Sequence, residues 1–349
     1  MVIQVSDAAH KNKSFCRDVR IIRWISLAVG LVILAGGCRP DRPRTLAKQV
    51  GFMAVVGAGQ ADPLWPVIRG SAERFVRTLA VGLDLRVRIQ APETVSPDQQ
   101  AQLIRRLHDQ GMRGLCVQIG QPPIPARLLE SLRSEGVVVV TMMRQVKSKQ
   151  PFLHSGINPY DLGAALAQAV AQQVPQRGTL GLLYADKDDV DRRRLAGFRS
   201  RIPRFPRLSV LRELDCAGEP ATAGRMIRQT MERFPGIDGW VSLGSWPLRI
   251  EGDGQPLLPE QCPLVVPGPA SDFAEQLTRG HCRTIVMADY HVAVSRALHM
   301  CLLSLQREVV DLRLYEAPFK PVTLETLPQF QRDWKAWTAV SRKPVGEGS

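Results

Sequence analysis

Residues 96–141 read SPDQQAQLIRRLHDQGMRGLCVQIGQPPIPARLLESLRSEGVVVVT, and their grammar is helix, strand, helix, strand. Ser96 before Pro97, with Gln99 three residues on, makes a capping box with proline at the first helical position. Leu103, Ile104 and Leu107 then share one helical side. Gly111 ends that helix, because glycine takes the left-handed backbone that lets the last carbonyls find donors. Residues 114–119 predict a buried strand, and 125–135 a second helix closed by Gly136. Residues 137–141 (VVVVT) are apolar on both faces, as a parallel sheet covered on both sides requires.

The alternation extends in both directions. Upstream, 51–56 (GFMAVV) predicts a strand. Asp62-Pro63 opens a helix with Leu64, Val67, Ile68, Phe75, Val76 and Leu79 on one face, and 85–90 is the next strand. Downstream, Asn158-Pro159 opens a helix to Val174. Strands are predicted over 180–184, 208–214, 239–243, 263–267 and 283–287, with helices around 192–201, up to Phe234, and over 292–306. This predicts an α/β fold with doubly wound parallel sheets. About ten strands exceed one comfortable open sheet, so two Rossmann-like lobes are expected. Ligands in such sheets sit beyond the carboxyl ends of the strands, which directs attention to the loops after 56, 141, 184, 243, 267 and 287.

Composition removes several function classes. The 349 residues are 44% hydrophobic and 23% charged, enough for well-buried cores. The net charge is +13, but the arginines are spread over every segment and no basic helix is interleaved with aromatics, so no nucleic-acid surface is expected. No Cys-x-x-Cys or Cys/His cluster has metal-ligand spacing, and no metal or cofactor is expected. Gly57-Ala58-Gly59 lacks the third glycine of a dinucleotide fingerprint, and strand two ends on Gln90 rather than an acid. Asp186, Asp188, Asp189 and Asp191 lack the turn glycine and distal glutamate of a calcium loop. No nucleophile elbow or Walker loop is present and no histidine pairs with a nucleophile, so no enzyme activity is expected.

The N-terminus points to export. Residues 24–38 (WISLAVGLVILAGGC) carry no charge and follow five basic residues. As a helix they span roughly 21 Å, short of the roughly 30 Å hydrocarbon core, which favours a leader over an uncleaved anchor. Leu34-Ala35-Gly36-Gly37-Cys38 resembles a bacterial lipobox, with Ala35 where leucine is usual, which makes Cys38 the lipidation site. Residues 39–49 then read as a tether. Of the remaining cysteines, Cys262 and Cys282 each open a predicted strand of one βαβ unit, and a disulfide between them is one possibility.

The chain resembles the type I periplasmic binding proteins, in particular the ribose-binding branch, which shares its fold with the lactose-repressor effector domain. The resemblance is carried by 62–65 (DPLW), 111–115 (GMRGL), 136–141 (GVVVVT), 156–163 (GINPYDLG), 194–198 (RLAGF) and 234–239 (FPGIDG), in this order. It implies two lobes joined by three crossovers, near 157–158, 287–289 and 318–322. The implied partition is a leader over 1–37, a tether over 38–49, a first lobe of 50–157 plus 288–318, a second of 158–287 plus 319–334, and a tail over 335–349. It also implies a monomer that delivers a small ligand to an ABC-type importer, or presents it to a membrane sensor kinase or chemoreceptor. A transcription regulator would need a helix-turn-helix where the leader stands.

The family's ligand positions fall on Leu64, Trp65, Met143, Arg144, Arg194 and Met287, with Trp246 nearby. Met143 stands where sugar binders place an aspartate, while Gly244, Pro269 and Met287 replace a binding asparagine, aspartate and glutamine. The resemblance implies a sugar-like ligand, whereas two guanidinium groups remaining where hydroxyl-binding groups are missing imply instead a ligand with an anionic group and an apolar body. Each position also has a structural alternative. Arg144 and Arg194 also suit ion pairs with lobe carboxylates such as Asp186 or Asp289, and the methionines suit the core.

Overall fold

The computed structural model describes residues 51–79, 86–174, 177–250, 256–308, 310 and 313–339. The leader, Cys38 and the tether lie outside them. Two six-stranded sheets organise the chain. The first has the order β11-β5-β4-β3-β1-β2, built from β1 (Phe52–Val56), β2 (Arg86–Gln90), β3 (Met112–Gln118), β4 (Val138–Met143), β5 (Leu153–Gly156) and β11 (Leu314–Glu316), all parallel. The second has the order β12-β10-β9-β8-β6-β7. Its strands β6 (Gly178–Tyr184), β7 (Leu208–Asp215), β8 (Gly239–Ser242), β9 (Leu264–Pro267) and β10 (Thr284–Ala288) are parallel, and β12 (Phe319–Val322) is antiparallel to β10.

Helices α1 (Trp65–Leu79), α2 (Pro97–Asp109) and α3 (Ala126–Ser134) belong to the first sheet. Helices α4 (Pro159–Gln173), α5 (Asp189–Arg201), α6 (Pro220–Arg233) and the single turn α7 (Ala274–Thr278) follow in the second lobe, then α8 (Tyr290–Leu305) and α9 (Leu327–Thr338). The caps form as expected: Ser96 accepts from the Gln99 amide at 3.3 Å and Asn158 from the Tyr160 amide at 3.0 Å. Gly111 and Gly136 have φ of 94° and 87°, the left-handed backbone their positions demand. Strands β1, β9 and β10 are buried along their whole length, because helices cover both faces of each sheet.

The chain passes from the first sheet to the second after β5 and returns through α8, which packs on β3, β4 and β5. It crosses again between β11 and β12. A further passage follows that the expected partition lacked: β12 joins the second sheet, but α9 packs on α1 of the first lobe. The contact is close. A Cβ built on Gly70 of α1 would lie 2.0 Å from the Trp337 carbonyl, and Trp337 stacks on His291 of α8 at 5.5 Å. The apolar side of α9, with Leu327 and Phe330 buried, explains why the helix docks and runs through Thr338 into the expected tail.

The possible disulfide is not formed. Cys262 and Cys282 are free and buried, and Cys262 lies before β9 with its Sγ 3.4 Å from the Ile237 carbonyl, which the thiol donates toward instead of meeting Cys282.

One buried histidine gives a pH prediction. His154 of β5 is 4% exposed, its Nδ1 is 2.8 Å from the Thr141 hydroxyl, and burial pulls its pKa from 6.5 to about 4. The unfolded chain takes up a proton that the folded one refuses, so this contribution is complete above pH 6.5 and is lost as pH falls toward 4. The free energy of urea unfolding should fall by roughly 3 kcal/mol over that window, and less in His154→Gln.

Candidate functional site

The carboxyl ends of the strands carry polar groups from both lobes into one place. Beyond β4 the backbone turns sharply: the Arg144 amide donates to the Met142 carbonyl at 2.9 Å across Met143, whose φ is 70°. This is a γ-turn of the rare, strained hand, and it is held because the Met143 carbonyl accepts from the Ile157 amide at 3.1 Å. The turn fixes where the half-buried Arg144 leaves the first lobe.

Arg194 comes from α5 of the second lobe. The helix is pressed against α4 at two glycines, so its backbone and the arginine on it are held firmly. The side chain is 16% exposed; Nη1 donates to the Leu243 carbonyl at the end of β8 and lies 3.9 Å from the Asp191 carboxylate. Nε is buried without any partner. Burial lowers the Arg194 pKa, opposed by Asp191 and reinforced by Arg144, so the two guanidinium groups feel each other across the lobes. Asp191 is raised first by burial, with Arg194 opposing.

A second group of charges adjoins them. Tyr290, 6% exposed at the start of α8, has its phenol raised by burial, then by Asp272, with Arg194 opposing and Asp62 adding. Asp62 follows β1 and accepts from the Leu64 amide at 2.8 Å; Asp272 follows β9 and feels both Arg249 and Asp62. Asp62, Asp191, Asp272, Arg249 and Tyr290 were not singled out from sequence as ligand groups. The signal available was position alone, in loops after strand ends.

The remaining expected positions divide. Trp65 is 8% exposed, with its ring against Gly57 and Ala91, and lines an open groove of about 740 Å³ at the β2 edge with Gln60, Arg69 and Arg106. Leu64 is half-buried beside it in the chain. Met143 and Met287 are 3% and 4% exposed and belong to the apolar core. Trp246 is half-buried, its ring filling the space over Gly244 with Nε1 near Gly218. The alternative ion pairs are used otherwise: Asp186 meets Arg192 at 3.2 Å and Asp289 meets Lys320 at 2.7 Å. Among the described residues no cluster of acids, histidines or cysteines could hold a metal ion, and no helix is long and apolar enough to cross a membrane.

Residues 53–294 match the family model described as a periplasmic binding protein domain. The chain belongs to the periplasmic binding protein family. Its members bind solutes and do no chemistry on them. The fold is shared with an arabinose-binding protein from Geobacillus stearothermophilus (TM-score 0.67, 13% identity, covering 80% of this chain and 99% of that one). It is shared also with a Caulobacter myo-inositol-binding protein (0.59, 14%, 85% and 99%). A third is the fructose-binding periplasmic domain of a hybrid two-component system (0.57, 15%, 81% and 94%). No curated protein matches the sequence.

In this periplasmic binding protein an exposed ion pair spans the lobes. Lys147, from the loop between β4 and β5, meets Asp189 in the first turn of α5, and Arg192 meets the same carboxylate at 2.6 Å. Lys147 first and Arg192 second hold the Asp189 carboxyl at about 2, below its ordinary 3.8. The folded value is depressed, so the pair is intact above about pH 4 and is lost as pH falls toward 2. Lys147→Glu should speed release of a bound solute a few-fold in stopped-flow, and the difference should vanish in about 1 M salt, where the Debye length is about 3 Å.

Proposed function

We propose that the chain is an exported receptor, anchored through lipid on Cys38, that captures a small solute bearing an anionic group between its lobes and delivers it to an ABC-type importer. The observation that carries this is the Arg194 guanidinium: buried, with an unpartnered Nε, beside Arg144 from the opposite lobe. A buried donor left unmade costs about 1–3 kcal/mol, which a carboxylate or phosphate arriving in the gap would recover. Met143 and Met287 are 3% and 4% exposed and offer little surface to an apolar part of the solute, so the anionic group carries the reading. Thermal-shift screening tests the reading. Small organic acids should stabilise the protein, and neutral pentoses or hexoses stabilising it while acids are inert would refute the anionic ligand.

A sensor role is the second reading. It is favoured by the fold shared with the periplasmic domain of a hybrid two-component system. An adjacent permease gene supports import, and an adjacent kinase gene supports sensing. For the anchor, Cys38→Ala should release the protein from the membrane fraction; membrane retention of that variant would exclude the lipid.

A further inference from the structure

We propose that the exported protein carries a disulfide between Cys116 of β3 and Cys301 of α8, a covalent staple joining the two chain segments that make the first lobe. The inference rests on export, since an oxidising compartment is what forms and keeps such a bond.

The first lobe is discontinuous. Strands β1 to β5 come from one stretch of chain, and α8 returns to pack on β3, β4 and β5 only after the second sheet is complete up to β10. Cys116 and Cys301 sit where these two pieces meet. Gly114 and Cys116 are alternate residues of β3 and share one face of the sheet. Ala297 and Cys301 are one turn apart on one side of α8. A Cβ built on Gly114 would stand 2.7 Å from Cys301 Sγ, so the absence of a side chain lets α8 come down on the strand there. Two residues along β3, the Cys116 thiol donates to the Ala297 carbonyl at 3.6 Å. That carbonyl is the one that accepts from the Cys301 amide in the helical ladder. The two thiols therefore lie side by side, hydrogen-bonded to each other. Both are fully buried, and both are free in the structure, so the pair stands reduced and in reach. The other cysteines among the described residues belong to the second lobe. Cys216 donates to the Tyr184 carbonyl at 3.3 Å, Cys262 to that of Ile237, and Cys282 precedes β10.

Closing the bond takes one hydrogen from each thiol, two electrons and two protons in all. They pass to the disulfide of an oxidant, either a disulfide-bearing oxidoreductase or oxidised glutathione. One cysteine thiolate attacks a sulfur of that disulfide, which releases the oxidant's first thiol and leaves a mixed disulfide. The second thiolate attacks the chain's own sulfur in the mixed disulfide, closes the Cys116–Cys301 bond and expels the oxidant's second thiol. Burial drives the Cys116 thiol well above its ordinary pKa, and Cys301 adds to the rise, so the folded dithiol holds little thiolate. The bond accordingly forms while the lobe assembles, before α8 has covered the strand. Once formed, it fixes the body of α8 on β3. Relative motion of the lobes is then taken up at the other end of that helix, where Asp289 caps it at 3.2 Å.

The test uses the full chain, taken once from the membrane and periplasmic fractions of expressing cells and once refolded with reduced and oxidised glutathione. Free thiols are blocked with iodoacetamide in urea, and the unreduced protein is cut with trypsin. Cleavage after Arg113, Arg127, Arg296 and Arg307 gives peptides 114–127 and 297–307. Both preparations should yield these two peptides joined, two hydrogen masses below their sum. Refolding in dithiothreitol should lower the urea midpoint by roughly 1 M, whereas Cys116→Ala with Cys301→Ala should not respond to dithiothreitol. Separate, blocked peptides in both preparations, or either cysteine joined elsewhere, overturn the inference and leave the solute receptor standing. Joined peptides in the refolded protein alone would overturn export and keep the pairing.

Discussion

Leucine at Gly197 or Gly163 prevents the second lobe from folding, and alanine at either position lowers its stability by about 1–3 kcal/mol. Helices α4 and α5 touch backbone to backbone at these two residues. A Cβ on Gly163 would stand 1.9 Å from the Arg194 carbonyl, and one on Gly197 1.8 Å from the Tyr160 carbonyl. Neither obstacle is a side-chain tip that can swing away; both are main chain, so the helices must separate. The surrounding core, with Leu166, Val170 and Phe198 fully buried, then loses contacts along the whole seam. Urea unfolding of the alanine variants checks the magnitude. The alanine variants should also bind solute less tightly, since Arg194 rides on the displaced helix. An unchanged midpoint in Gly197→Ala would mean that the two helices do not meet as described.

Arg194→Met should weaken capture roughly ten- to a hundred-fold with little change in the stability of the empty protein. The guanidinium offers a buried donor that no protein group accepts, and a charge-assisted hydrogen bond contributes about 1.5–3 kcal/mol, a loss of roughly ten- to a hundred-fold in affinity. The empty protein loses one bond to the Leu243 carbonyl and the distant contact with Asp191, but it also loses an unsatisfied buried nitrogen. These oppose each other. Calorimetry of the variant against the acid that binds the parent protein gives the first number, and urea unfolding without solute the second. Unchanged affinity would make Arg194 a structural ion-pair partner and nothing more.

The β-α grammar was legible in the sequence because it is written in strong local chemistry. Ser96, Asn158, Gly111 and Gly136 occupy the caps and turns that their residue types favour, and VVVVT is a buried strand in β4. Three strands escaped notice. β5 (LHSG) carries a buried histidine and serine in place of an apolar run, β11 has three residues, and β12 contains Pro321. Their pairing comes from the sheets they join, which no local pattern announces. The return of α9 to the first lobe was hidden for the same reason, since its apolar side says that it docks but not on what. Of the proposed site, Arg144 and Arg194 were picked out of the sequence because they fall on family positions. Met143, Met287 and Trp65 fall there too, and all three are buried. Asp62 was legible as the helix cap that opens the 62–65 motif, while Asp272 carries no motif.

The central claim is that two lobes hold a small solute through charges drawn from both. Native mass spectrometry of the protein as purified, run beside Arg194→Met, tests it most directly. The account predicts an added mass on the parent protein, lost on mild unfolding and identified in the released fraction as a small molecule with an anionic group, and no added mass on the variant. The same solute retained by Arg194→Met, or a released solute with no anionic group, would contradict it.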